Sequence, residues 1–331
     1  MMEFMLDLPI AAPTEKINYA APLLFTGSCF TEHISSHLQQ LKFNVLENPN
    51  GILFDPQSVS DSLISYIQNR QYTEKDLFFL NELWQSWHHH SMFSAIDKSK
   101  CLNLINESQN QAHQFLKKTK WLIITLGSAF SYRLQANEMP VANCHRAPVQ
   151  WFNKHLMTIE EINTALDSCI HQLFHFNPDM RIIFTVSPVR HIRDGIIDNN
   201  RSKARLIEVV HHLTNKFDKL YYFPAYELVI DVLRDYRFFD IDMVHPNYQA
   251  TEFVIQKFSC HFIDEASQEL MQDISKIITA KKHKAFHPDS PAHRQFLLKH
   301  FERVQQLKEK YPFLNLSDEV NHFSSFQKRS Q

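Results

Sequence analysis

Two stretches, residues 121–127 (WLIITLG) and 181–186 (RIIFTV), constrain the fold of this chain more than any other feature. Each is short, almost uninterrupted in apolar side chains and rich in β-branched residues. A strand with one wet face alternates polar and apolar residues; these runs have no polar phase, so both faces must be covered. Residues 22–25 (PLLF), 43–46 (FNVL) and 220–224 (LYYFP) are shorter strand candidates. Helical periodicity fills the intervals at 30–41, 58–69, 103–119, 158–176 and 202–217. Strands alternating with helices predict an α/β fold of three layers, α/β/α, around a mostly parallel sheet. Such sheets gather functional side chains at the carboxyl ends of their strands.

Residues 73–100 break the alternation with an aromatic, irregular insertion. From about residue 264 the chain becomes helical and charged, interrupted by HPDSPAH. We therefore divide it into an α/β domain at 1–262 and a C-terminal helical extension at 263–331, expected to cover an edge of the domain or meet a partner. The 331 residues are 44% hydrophobic, enough for such a core. A net charge of −2 gives no general attraction for nucleic acid or an anionic membrane. The first residues lack a basic segment followed by a long apolar run, and no stretch has the length of a membrane span. Five scattered cysteines without CxxC spacing argue against a disulfide framework or a zinc site. These features fit a cytoplasmic protein with reduced thiols.

Only four glycines occur, at Gly27, Gly51, Gly127 and Gly195, and three follow or end strand-like segments. Gly27 precedes Ser28 at the turn between the first strand and first helix. A serine there projects from the carboxyl edge of the sheet, beside helix N–H groups that can stabilise an oxyanion. Serine also serves simply as a helix cap. A serine hydroxyl becomes a nucleophile when a histidine takes its proton and a carboxylate orients that histidine. The segment FFDIDMVHPN offers both, with Asp242 three residues before His245 and a helix beyond.

A strand ending in Gly-Ser, an α/β body and a late D-x-x-H-P together resemble the SGNH (GDSL-like) hydrolases. More closely, Gly27-Ser28-Cys29-Phe30-Thr31 is similar to the signature of the GSCFA family, as are SWHHHSMFS, VANCHRAP and the stretch 187–206. The resemblance spans roughly residues 22–262. It implies a flavodoxin-like SGNH architecture and a catalytic set of Ser28 as nucleophile, His245 as base and Asp242 as orienting acid. It places the Ser28 N–H and the Gly51 N–H in the oxyanion hole. The pattern's third donor is an asparagine, but this chain reads Gly127-Ser128-Ala129-Phe130, so Asn143 or Ser128 is left to supply it. The implied substrate is an O-acyl ester of a carbohydrate or small metabolite, attacked without a cofactor. Hydrolase and acyltransferase share these parts, and a fold that binds without turnover is the rival that Ala129 keeps open.

Cys29 adjoins the nucleophile, but its position at the first step into the helix turns it toward the core, where cysteine behaves as a small hydrophobe. The run His88-His89-His90 lacks a second ligand group at metal spacing, so solvated histidines in an aromatic loop are expected, with His90 lining the pocket. The loop after the 181–186 strand carries Arg190, His191, Arg193, Asp194 and Lys203. Hanging over the same edge as Ser28, its cations suit a carboxylate or phosphate on the substrate. Arg190, His191 and Arg193 are the substrate-binding candidates.

Overall fold

The computed structural model describes residues 5–325. In chain order, β1 (Leu23–Gly27) leads into α1 (Phe30–Gln40), β2 (Val45–Glu47) and α2 (Pro56–Gln68). A hairpin of β3 (Phe78–Leu80) and β4 (Leu83–Gln85) and the long α3 (Lys98–Lys118) precede β5 (Trp121–Leu126). Then come β6 (Phe130–Leu134), β7 (Pro140–Val141), β8 (Phe152–Leu156), α4 (Ile159–Phe176), β9 (Arg181–Val186), α5 (Ile196–Lys216) and β10 (Leu220–Tyr222). The short α6 (Ala225–Glu227) winds into a π-helical turn at Leu228–Leu233, and α7 (Tyr248–Phe262), α8 (Glu265–Lys282), α9 (Pro291–Lys310) and α10 (Ser317–Phe323) complete the chain.

The central sheet runs β10-β9-β5-β1-β2 with every pairing parallel. Counting its strands along the chain, the order is 2-1-3-4-5, that of flavodoxin-like doubly wound folds, whose ligand crevice opens beside the first strand. The strands alternate between two cores as their period of two requires. Leu23, Phe25, Trp121, Ile123 and Ile183 meet α1, α7 and the C-terminal helices on one face. Leu24, Leu122, Ile124, Ile182 and Phe184 meet α2, α3, α4 and α5 on the other. The expected three-layer α/β architecture is therefore present, with a helical region at its C-terminal end.

The C-terminal helices lie on a face rather than along an edge. Leu270, Ile274 and Ile277 of α8 and Val304 of α9 are buried in the same core as Phe30 and Phe258. Glu319 of α10, itself buried, pairs with Lys42 at 3.1 Å and Lys281 at 3.2 Å.

Three local features differ from expectation. Residues 130–156 form a small antiparallel sheet, β7-β6-β8, beside the main one. Helix α5 begins at Ile196, six residues ahead of the expected 202, because Gly195 at φ +82° starts it. The histidine run is a turn after β4, and His89 is buried rather than solvated: its Nδ1 lies 3.0 Å from Ser86 Oγ and its ring meets Tyr72 edge-on.

Candidate active site

At the end of β1 the chain must pass close to β5. Gly27 has φ +139°, and a β-carbon there would lie 2.2 Å from the Thr125 carbonyl oxygen, so only glycine fits. The next residue, Ser28, is 3% exposed, and its hydroxyl oxygen has no hydrogen-bond partner among the described residues. Thr31, Ser60, Thr185 and Ser259 share that state, but of these hydroxyls Ser28 alone lines the cleft at the carboxyl edge of the sheet.

Ser28 opens into a cleft of about 440 Å³ at the carboxyl edge of the sheet. Asp242 and His245 line the same cleft, as do Ser128, Arg190, His191 and Arg193. The 239–246 loop folds back on itself, Phe239 bridging Pro246, and then enters α7, which Asn247 caps by accepting the Ala250 N–H. Within the loop Asp242 Oδ1 accepts the N–H groups of Val244 and His245, while Oδ2 lies 2.6 Å from His245 Nδ1. The hydrogen bond to the imidazole and the two backbone N–H groups hold the Asp242 carboxyl down at about 2. An ionised carboxylate only accepts, so Nδ1 is the donor to Asp242, and in the neutral imidazole Nε2 is then the nitrogen that presents a lone pair.

Of the four groups expected in the oxyanion hole, the two backbone N–H donors are engaged elsewhere, the Ser128 hydroxyl sits against Ser202, and Asn143 lies outside the cleft. The Ser28 N–H donates to Thr125 O at 3.0 Å, and the Gly51 N–H to Asn48 O at 2.7 Å. Ser128 Oγ accepts the Phe130 N–H and lies 3.3 Å from Ser202 Oγ. Asn143 Oδ1 accepts the His145 N–H and the Ser91 hydroxyl. Gly51, Asn143 and His90 do not line the Ser28 cleft. His90 instead caps the short turn at Ser91–Phe93 and packs its β-carbon against Gly51.

Arg190 and Arg193 form no ion pair among the described residues, although Arg190 lies over the Phe239 ring at 5.6 Å. Asp194 pairs with Lys154 of β8. Cys29 packs partly against the core, as expected, and also lines the cleft. Burial raises its thiol above the ordinary range, with the Glu32 charge adding to the effect.

Lys203 departs most from expectation. Rather than hanging over the edge it is 1% exposed, and its Nζ donates to Gly127 O and Ser187 O, both at 2.6 Å. It thereby ties the carboxyl ends of β5 and β9 beneath the cleft. Sequence reasoning also passed over His33 on α1, which sits within electrostatic reach of His245 and is held below its usual range by burial and then by that neighbour. Its place three residues after Phe30 on the helix that follows Ser28 was the available signal.

With the geometry in place, comparison with known proteins locates the chain among them. Residues 22–258 match the family model described as the GSCFA family, and the chain belongs to that family. Residues 274–328 match a second model, the GSCFA domain protein C-terminal domain. No curated protein matches. Among solved structures, one titled as that of "a putative platelet activating factor from Streptococcus pneumonia" is 12% identical, with 72% of this chain and 84% of that chain covered and a TM-score of 0.35. No helix among the described residues is long and apolar enough to cross a membrane.

Proposed function

We propose that this protein is a serine-dependent hydrolase or acyltransferase of the SGNH type, acting on an O-acyl ester of a carbohydrate or small metabolite. The observation that carries this reading is the Asp242–His245 pair, 2.6 Å apart, on the same cleft as the unpartnered hydroxyl of Ser28. Ser28 Oγ attacks the ester carbonyl while His245 Nε2 takes its proton. The tetrahedral adduct then collapses, and His245 returns the proton to the departing alcohol. Water or a second alcohol releases the acyl group by the same steps in reverse order. Unpaired Arg190 and Arg193 at the rim suit a substrate bearing a carboxylate or phosphate.

A fluorophosphonate probe tests the nucleophile. Labelling is expected in the wild type and in Cys29→Ala, and is expected to vanish in Ser28→Ala. The second reading, a binding protein that keeps the fold without turnover, is favoured by the prior engagement of the Ser28 and Gly51 N–H groups and by the absence of Asn143 from the cleft. Folded wild-type protein that takes no label would favour it over the enzyme.

A further inference from the structure

An acyl transfer needs at least one donor aimed at the oxygen on which charge develops. The Ser28 and Gly51 N–H groups have other partners, the Ser128 hydroxyl sits against that of Ser202 and Asn143 lies outside the cleft, so the donor must be another group beside Ser28. His191 supplies it. A β-carbon built on Gly127 would lie 3.2 Å from Ser28 Cβ and 3.5 Å from His191 Nε2, which puts the imidazole nitrogen across a small gap from the serine. Any residue but glycine at 127 would fill that gap. The ring is held from two sides: the His191 backbone N–H donates to Asn199 Oδ1 at 2.9 Å, and the imidazole leans on Phe54 with centroids 5.2 Å apart. Its nitrogens make no hydrogen bond among the described residues.

We propose that His191 is the missing oxyanion donor, its Nε2–H meeting the substrate's carbonyl oxygen in the place that Ala129 leaves without a side-chain amide. The inference rests on Ser28 being the nucleophile. As the Oγ–carbon bond forms and the serine proton passes to His245, the carbonyl π pair moves onto oxygen, where the Nε2–H of His191 receives it as a hydrogen bond. When the pair returns and expels the alcohol, that bond relaxes; His191 itself neither gains nor loses a proton. Burial and the nearby Lys203 push the His191 imidazole down to about 4, so at neutral pH it is an uncharged donor and too weak a base to compete for the serine proton.

The test uses the full chain with p-nitrophenyl acetate and a fluorophosphonate as probes. His191→Ala is expected to lower kcat and the phosphonylation rate by about 10²–10³-fold while leaving KM near the wild-type value. His191→Gln, whose amide offers an N–H in similar reach, is expected to recover a large part of the loss. Should the alanine variant fail to fold, Gln against Leu at this position carries the same comparison. A variant that raises KM with kcat intact, or a glutamine no faster than alanine or leucine in folded protein, overturns the proposal. Folded wild type that neither labels nor turns over sinks the nucleophile reading and this one together. A labelled wild type with an equally fast His191→Ala sinks this one alone.

Discussion

Two backbone atoms set how closely Ser28 can approach β5: the Gly27 α-carbon and the Thr125 carbonyl oxygen. Both sides of that contact depend on the missing side chain, because the Ser28 N–H bonds the same carbonyl at 3.0 Å. Gly27→Ala would drive a methyl group to 2.2 Å from that oxygen and require φ +139° of an alanine. The strand end must move, and the N–H bond from Ser28 lengthens with it. The expected cost is about 2–4 kcal/mol of unfolding free energy, read from the shift in a urea midpoint at unchanged slope. Since Ser28, the proposed nucleophile, rides on the displaced backbone, labelling by fluorophosphonate should fall even under conditions where the variant is fully folded. A stable variant with a normal labelling rate would mean that Ser28 tolerates more freedom than its packing suggests.

At the level of elements, β5 and β9 hold each other by sequence-legible apolar runs, but their carboxyl ends are joined by a side chain that no pattern announces. A lysine on an amphipathic helix reads as solvated, because lysine is almost never fully buried. Lys203 is buried because two strand-end carbonyls, Gly127 O and Ser187 O, need donors where α5 crosses them. Desolvation pushes its ammonium down to about 7, and a neutral amine still has two N–H donors, one for each carbonyl. Lys203→Met keeps the length and leaves both carbonyls bare, at about 1–3 kcal/mol each. A thermal midpoint lowered by several degrees is the expected outcome, with a loss of activity larger than the stability change explains. The same limit governs the rest of what the sequence could say. Ser28, Asp242 and His245 could be brought to one cleft from the turn after β1 and the D-x-x-H before α7. Where the expected oxyanion groups end up could not, since Ser128 sits against Ser202 and the Asn143 amide oxygen accepts from Ser91, partners 74 and 52 positions away. The small sheet β7-β6-β8 was missed for a related reason: strands such as FSYRL and FNKHL are short and polar, and only pairing with one another makes them strands.

For the molecule as a whole, the buried histidines couple folding to protons. His89 is pushed down to about 3 and His191 to about 4, in both cases chiefly by burial, against about 6.5 in an unfolded chain. His33, His37, His88 and His145 are lowered in the same direction, burial being the largest cause in each. Below pH 6.5 the unfolded chain takes up these protons and the folded one refuses them. Their contribution is therefore complete above pH 6.5 and is lost as pH falls toward 4, at up to about 1.4 kcal/mol per unit for each fully buried ring. Buried Asp55, raised to about 6, works in the opposite sense between pH 6 and 3.8, as do Asp61 and Glu227, whose carboxyls burial also raises. The histidines outnumber these acids and begin titrating first, so the thermal midpoint should fall on acidification from pH 6.5 to 4.5 more steeply than it changes from 8 to 6.5. His89→Phe isolates one of them at the cost of a single contact, that of Nδ1 with Ser86 Oγ, since its ring sits among Tyr72 and Phe93 and its Nε2 has no partner. The variant should shed close to one proton from the acid-side slope of stability against pH while keeping the cleft intact, because His89 does not line it. An unchanged slope would place the acid sensitivity in the other histidines.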